Sequence, residues 1–265
     1  MSVALQVRGL VKEFPGRRRG SVRVLDRLDF EVAASEFVCV VGVSGSGKST
    51  LLSLVAGLLP LTAGRLELDG VPITGPGPDR GLVLQAPSLY PWRTVERNIA
   101  FGLELLGLSR AERRARVAWY LGVMGLEPLA RSLPRQLSGG QRQRAAIARA
   151  LACEPRLLLL DEPFGSLDVQ TKEDMQVFLR TVWDRTRTTV IMVTHDVEEA
   201  VFLAQRVLVL ASDPGRVAAE IPVHLPTDRT LEIKRDPRFL QLRSRVEDMV
   251  RAQHRNHLAA TTATT

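Results

Sequence analysis

A chain of 265 residues that is 45% hydrophobic and 25% charged has the make-up of an ordinary globular protein with one large or two small domains, which excludes bulk disorder. Its longest apolar runs, such as 37–41 and 157–160, fall far short of the roughly 18 residues a membrane span needs. The opening MSVALQVRGLVKEF lacks the apolar core and small-residue site of a signal peptide. The net charge of +7 is mostly arginine, with lysine only at Lys12, Lys48, Lys172 and Lys234. Because the excess is spread along the chain, with one dense run at Arg17, Arg18 and Arg19, no nucleic-acid partner is expected. The charge reads as a solvated surface suited to lipid headgroups or an acidic partner. Cys39 and Cys153 fit neither a disulfide framework nor a zinc site, so a reducing cytosol is expected.

In chain order, residues 4–11 and 22–30 alternate apolar and polar side chains on either side of a Gly/Arg loop and are predicted as strands. Residues 36–41 form a short β-branched apolar run of the buried-strand type. A glycine-rich turn follows, then a helix over 49–56 closed by Gly57. Further strands are predicted at 65–68, 81–84, 156–160, 189–193 and 206–210. Residues 94–152 differ: Arg/Glu-rich helical patterning with Pro/Gly punctuation and no strand, the mark of a helical subdomain inserted in a mixed α/β core. From Asp213 the chain is Pro-rich and extended, then helical and amphipathic over 237–253, and its AATTATT close is expected to be disordered. The domain reading is one unit over 3–230, with the insert at 94–152, followed by a C-terminal helix and tail over 231–265.

Phosphate chemistry concentrates in a complete GxxxxGK[ST] formed by Gly42, Val43, Ser44, Gly45, Ser46, Gly47, Lys48 and Ser49, with Thr50 next. It follows an apolar strand and opens a helix, the context in which this pattern has a mechanism. The glycines permit backbone conformations and close approaches that side chains block, so successive N–H groups can form an anion nest at a helix N-terminus. Lys48 supplies a compact charge for β- and γ-phosphate oxygens, and the Ser49 hydroxyl a ligand for Mg²⁺. The apolar run 157–160 ends in Asp161 and Glu162. An acid at such a strand end can hold Mg²⁺, and its neighbour can orient or deprotonate the attacking water. Alone, that pattern reads equally well as a strand-to-helix cap. A third element, Leu137, Ser138, Gly139, Gly140 and Gln141, opens a helix predicted over 142–152 and offers a second anion cradle.

Two phosphate cradles with one lysine loop do not suit an ordinary kinase or GTPase. The sequence resembles the ATP-binding cassette proteins from about residue 3 to 216, with LSGGQ as their signature motif. The resemblance implies a P-loop NTPase (RecA-like) α/β fold, with a mixed-sheet core, an antiparallel β subdomain and the inserted helical subdomain. It further implies that Gln85 is the Q-loop glutamine, which senses Mg²⁺ and the attacking water. Asp168, in Gly165-Ser-Leu-Asp, belongs to the D-loop and links two sites, and His195 is the switch histidine at the γ-phosphate. Phe14 becomes the aromatic stacked on adenine, in place of the commoner Tyr and still with a π-face. Glu162 becomes the general base, Asp161 a Mg²⁺ ligand beside Ser49 and Gln85, and residues 138–141 the contacts to a nucleotide bound across a head-to-tail dimer. ATP and Mg²⁺ are the implied cofactors.

A narrower resemblance, to importer cassettes of the nitrate, sulfonate and taurine group, rests on Pro87-Ser-Leu-Tyr-Pro-Trp-Arg-Thr94, Asp161-Glu-Pro-Phe-Gly165, His195-Asp-Val-Glu-Glu-Ala200 and Asp213-Pro-Gly-Arg216. It implies an ATPase subunit peripheral to the cytoplasmic face of the membrane. The subunit would dock permease subunits near residues 85–92 and serve a periplasmic or extracellular solute-binding protein indirectly. Tyr90 and Trp92 are expected to be exposed anchors there; packing inside the helical subdomain is the alternative. A different class, a soluble cassette ATPase acting on nucleic acid or ribosomes, usually carries two cassettes or a long coiled-coil insertion, and this chain has neither. The solute itself does not follow from the sequence.

Overall fold

The computed structural model describes residues 3–16 and 20–262; Arg17, Arg18, Arg19 and the last three residues of the AATTATT tail lie outside the described residues. The elements in order are β1 (Val3–Pro15), β2 (Ser21–Ala33), β3 (Phe37–Gly42), α1 (Lys48–Val55), β4 (Ala63–Leu68), β5 (Val71–Pro72), β6 (Arg80–Val83), α2 (Val95–Leu105), α3 (Arg110–Met124) and α4 (Gly139–Leu151). They continue with β7 (Leu157–Asp161), α5 (Val169–Thr186), β8 (Thr189–Thr194), α6 (Val197–Leu203), β9 (Arg206–Leu210), β10 (Val217–Pro222) and α7 (Pro237–Thr262). Two compact units result: one from the residues up to Gly77 together with those from Thr189 onward, the other from Pro78–Thr188.

The first unit holds an antiparallel sheet in the order β2-β1-β4-β5. Val7 lies opposite both Phe30 and Leu66, and Leu5 opposite Val32 and Leu68, so one face collects the apolar half of each alternating strand. In its other sheet β3 runs parallel to β8 and β9, with Val38 opposite Ile191 and Arg206, and β10 is antiparallel to β9. Every residue of β3 and β8 is buried, as expected for parallel strands covered on both faces, which explains why 36–41 is apolar without alternation. Arg229 is buried and donates to the carbonyl oxygens of Val201, Phe202 and Ala204, satisfying orphan acceptors at the end of α6. Helix α7 buries Phe239 and Val246, and it runs nine residues beyond the expected amphipathic stretch.

The second unit pairs β6 with β7 in parallel, Gly81 opposite Leu158 and Val83 opposite Leu160. Residues 94–152 carry α2, α3 and α4 and no strand, as their patterning predicts. Thr94 caps α2, and Ser109 forms a reciprocal capping box with Glu112 at the start of α3. Gly125 ends α3 at φ 62°, a left-handed position that favours glycine. Among the described residues, no helix is long and apolar enough to cross a membrane.

Candidate functional site: a phosphate loop, a strand-end acid pair and a signature helix

In the first unit, β3 delivers the chain into the glycine-rich loop and α1 takes it out. Gly45 and Gly47 have φ of 82° and 89°, so both occupy left-handed backbone. A Cβ at Gly42 would lie 2.7 Å from Ser46 Oγ and 2.8 Å from the Leu210 carbonyl, and one at Gly47 would lie 2.5 Å from Leu25 Cδ2. Glycine is therefore required at 42 by the close approach of the Leu210 carbonyl and at 47 by its left-handed φ. Lys48 is buried, and its Nζ donates to the carbonyls of Gly42 at 2.8 Å and Val43 at 3.0 Å, so the ammonium is held over the concave side of the loop. Ser46 is fully buried, and its Oγ has no hydrogen-bond partner among the described residues. Ser44, Gly45 and Ser49 are exposed, with Val43 and Thr50 half-buried. A bent loop of N–H donors, an enclosed cation and an unsatisfied buried hydroxyl fit a polyphosphate.

Phe14, on β1, is half-buried with Lys12 Nζ 4.8 Å from its ring centroid, a cation on one π-face. Lys12 is anchored by donating to the Pro60 carbonyl at 2.8 Å. His195 follows β8 directly and is exposed. Its flanks are fixed: the Thr194 hydroxyl donates to the buried Glu199 carboxylate at 2.7 Å, the Asp196 amide donates to Thr194 Oγ1 at 3.0 Å, and Asp196 caps α6. Glu198 of α6 lines the cavity beside His195 together with Arg243 and Glu247, a contribution of α7 with no sequence signal.

In the second unit, Asp161 closes β7 half-buried, and Glu162 follows with φ 44°. A non-glycine residue there stores strain of about 1–3 kcal/mol, which persists where surrounding structure enforces it and clusters at functional sites. Gln85, exposed just beyond β6, belongs to the same neighbourhood. A Cβ at Gly165 would lie 3.0 Å from Gln85 Nε2 and 3.6 Å from Glu162 Oε2. Asp168 caps α5 by accepting from the Thr171 amide at 3.0 Å, and that hydrogen bond holds its carboxyl below the usual range.

The signature helix starts at Gly139 rather than at the expected Arg142, because Ser138 and Gln141 form a capping box. Ser138 Oγ accepts from the Gln141 amide at 3.3 Å, and Gln141 Oε1 accepts from the Ser138 amide at 2.9 Å. The Ser138 oxygen is used by the cap, but its proton is still a donor. The Gly139 and Gly140 amides are first-turn donors with no intrahelical acceptor. Gly140 has a packing reason as well: a Cβ there would lie 2.9 Å from Thr171 Cγ2.

The expected pair of exposed aromatics is corrected in half. Trp92 is 72% exposed, but Tyr90 is half-buried, with ring centroids 4.6 Å from Phe101 and 5.8 Å from Trp92. Arg149 donates to the Ser88 carbonyl and lies 5.6 Å from the Tyr90 ring. Asp26 was missed from sequence: strand register brings its amide onto the Gly215 carbonyl, and Gly215 in turn abuts Ser46 of the phosphate loop.

Residues 25–165 match the ABC transporter family. The chain is 49% identical over 255 residues, 94% of its own length and 96% of the relative's, to the nitrate import ATP-binding protein NrtD of Synechocystis sp.. It is 46% identical over 238 residues, 88% of its length and 91% of the relative's, to the taurine import ATP-binding protein TauB of Rhizobium johnstonii. Among solved structures, an ATP-binding cassette seen as a dimer in a post-hydrolysis state with ADP and phosphate superposes with a TM-score of 0.72. That match has 31% identity and covers 84% of this chain and all of the other. The chain belongs to the ABC transporter family as an ATP-binding cassette.

Proposed function

We propose that this chain is the ATP-binding and ATP-hydrolysing subunit of an importer, powering uptake of a solute of the nitrate, sulfonate and taurine group through a separate membrane permease. The observation that carries the ATPase reading is Lys48, buried and clasped by the Gly42 and Val43 carbonyls within a loop that holds Gly45 and Gly47 in left-handed backbone and packs Gly42 against the Leu210 carbonyl. The importer reading is supported by relatives named for nitrate and taurine import along nearly their whole length.

Residue roles are those the family resemblance implies, each consistent with the chemistry of its side chain. The loop amides and Lys48 bind the β- and γ-phosphates and offset the charge that grows on their oxygens in the transition state. Phe14 offers its open face to adenine. Glu162 accepts a proton as water attacks the γ-phosphorus, giving ADP and phosphate; Gln85 orients that water, and His195 contacts the γ-phosphate. Ser49, Asp161 and Gln85 offer the hard oxygen donors that suit Mg²⁺, which supplies charge neutralisation when bound. Ser138, Gly139, Gly140 and Gln141 contact the nucleotide of a second copy in a head-to-tail dimer, and Asp168 links the two sites. Permease subunits at the cytoplasmic face of the membrane dock on residues 85–92, and a solute-binding protein acts on the far side. Measuring ATP hydrolysis by the purified chain and by Lys48→Ala, together with co-purification of membrane subunits, tests this reading. Equal turnover by both proteins, or no membrane partner, would overturn it.

A further inference from the structure

The turn Asp213-Pro-Gly-Arg216 stands out in sequence yet has no part in the chemistry above. In the structure it is closed on itself by the Ala211 amide donating to the Arg216 carbonyl at 2.9 Å. It is also laced to β2: the Gly215 amide donates to the Val24 carbonyl at 2.8 Å, and the Asp26 amide donates to the Gly215 carbonyl at 2.9 Å. One charged pair locks this lattice. Arg216 Nε donates to Asp26 Oδ2 at 2.9 Å and its Nη2 to the same oxygen, while Arg23 Nη1 donates to Asp26 Oδ1 at 3.0 Å. Asp26 is only 4% exposed, so its carboxylate depends on these guanidinium groups.

What the lattice presses on is the phosphate loop. A methyl group at Gly215 would run into the carbonyl oxygen of Ser46, and it would lie 2.8 Å from Leu25 Cδ2. The same Leu25 methyl lies 2.5 Å from where a Cβ at Gly47 would sit. The Ser46–Gly47 backbone, with Gly47 in its left-handed conformation, is therefore backed by Leu25 and by Gly215, and both are fixed by Asp26 and its neighbours.

We infer that Asp26 and Arg216 are positioning residues for the nucleotide: their ion pair holds the 213–216 turn against Ser46 and Gly47 so that the phosphate cradle is set before the nucleotide arrives. A cradle that must be ordered on binding loses affinity in proportion to the population lacking the competent form, without altering the chemistry once filled. The inference rests on the phosphate-loop reading of residues 42–49.

In the full-length chain, Arg216→Ala and Asp26→Asn should each raise the Kd for ADP and the KM for ATP by about five- to tenfold, the range of a positioning contact. Turnover at saturating ATP should stay within about twofold. The double variant should be no worse than Asp26→Asn alone, since that substitution already removes the pair with Arg216. Arg216→Lys, which keeps the charge and one of two bonds, should fall between wild type and Arg216→Ala. Unchanged ADP affinity in both single variants, fully additive losses in the double, or an affinity loss matched by an equal fall in kcat at saturating ATP would overturn the inference. Lys48→Ala separates the two levels. If it abolishes ADP binding while Arg216→Ala binds like wild type, only the positioning role fails; if it binds ADP like wild type, the phosphate-loop reading fails and the inference with it.

Discussion

Tyr90 and Asn98 are joined by a reciprocal pair of hydrogen bonds: the Tyr90 amide donates to Asn98 Oδ1 at 2.8 Å, and Asn98 Nδ2 donates to the Tyr90 carbonyl at 3.2 Å. The same Nδ2 donates to the carbonyls of Arg93 at 2.9 Å and Thr94 at 3.0 Å. Asn98 is fully buried on α2, so one side chain ties the 90–94 segment to the helix that follows. Tyr90 packs inward on Phe101 and Trp92 stands outward, so the segment presents the Trp92 indole on a hydrogen-bonded mount.

Trp92→Ala should therefore weaken assembly with membrane subunits and uncouple transport, while hydrolysis by the isolated cassette stays close to wild type. Truncating an anchor of this kind costs about 2 kcal/mol or more of binding, roughly thirtyfold in Kd. Pull-down with the permease and an ATPase assay of the free subunit, done together, check it. Normal assembly with impaired hydrolysis would return Trp92 to a structural role.

Glu162→Gln keeps the size of the side chain and removes its basicity. Binding of ATP should persist while turnover falls by about 10²- to 10⁴-fold, the usual scale for a lost general base. Turnover near wild type in the purified variant would assign the proton transfer elsewhere. Gly replacing Glu162 would relieve the φ of 44°, so Glu162→Gly should melt no lower than Glu162→Gln; a clearly lower melting temperature would show that side-chain contacts at 162 outweigh the relief of backbone strain.

Much of this was legible in the sequence because the informative segments are local. The run 36–41, the glycine loop and the start of α1 follow one another, and each carries its own constraint of burial, φ or capping. The inserted helices likewise announce themselves by local Arg/Glu-rich patterning with Pro/Gly punctuation, and in the structure two of them start at caps, Thr94 and Ser109. Other features depend on contacts between distant segments. Helix α5 escaped notice although Met175, Leu179, Val182 and Trp183 line one buried stripe, because Lys172, Glu173 and Asp174 dilute its first turns. Tyr90 looked exposed because its partners, Phe101 and Arg149, lie 11 and 59 residues along the chain. The start of α4 was misplaced by three residues because glycines at 139 and 140 argue against a helix unless the Ser138–Gln141 box is recognised.

Arg229 gives a stability prediction away from the chemistry. It is buried and donates to four carbonyls, those of Val201, Phe202, Ala204 and Pro226. Arg229→Met keeps the aliphatic stem but leaves these acceptors unpaired, which should cost about 2–4 kcal/mol given charged hydrogen bonds of roughly 1.5–3 each before relaxation. Urea denaturation of the two proteins measures it; a loss below about 1 kcal/mol would mean that water replaces the guanidinium.

Asp26 should leave a mark on acid stability. Its hydrogen bond from Arg216 holds the carboxyl below the usual range. A depressed folded-state value means that the stabilisation is present above the ordinary Asp range and is lost as pH falls through the lower folded-state value. Asp26→Asn should therefore melt lower than wild type near neutral pH, with the gap narrowing as pH drops below about 4. A gap independent of pH over that window would mean that the variant acts through packing and not through the charge.

Ser138 permits its two tasks to be separated. Its oxygen accepts from the Gln141 amide to cap α4, and its proton is available to a phosphate presented by a second copy. Ser138→Asp keeps an N-cap acceptor and favours the helix dipole, so α4 should be at least as stable as before. The same change removes the hydroxyl proton and sets a negative charge where a γ-phosphate should lie. Ser138→Ala instead loses both, with about 1 kcal/mol lost from the cap. In a Glu162→Gln background, where ATP persists, wild-type Ser138 should give an ATP-driven dimer by light scattering. Ser138→Asp should remain monomeric at saturating ATP while melting at or above its parent, and its ATP affinity as a monomer should be unchanged because the phosphate loop is intact. A dimer formed by Ser138→Asp as readily as by the parent would remove Ser138 from the nucleotide contact and leave it only the cap.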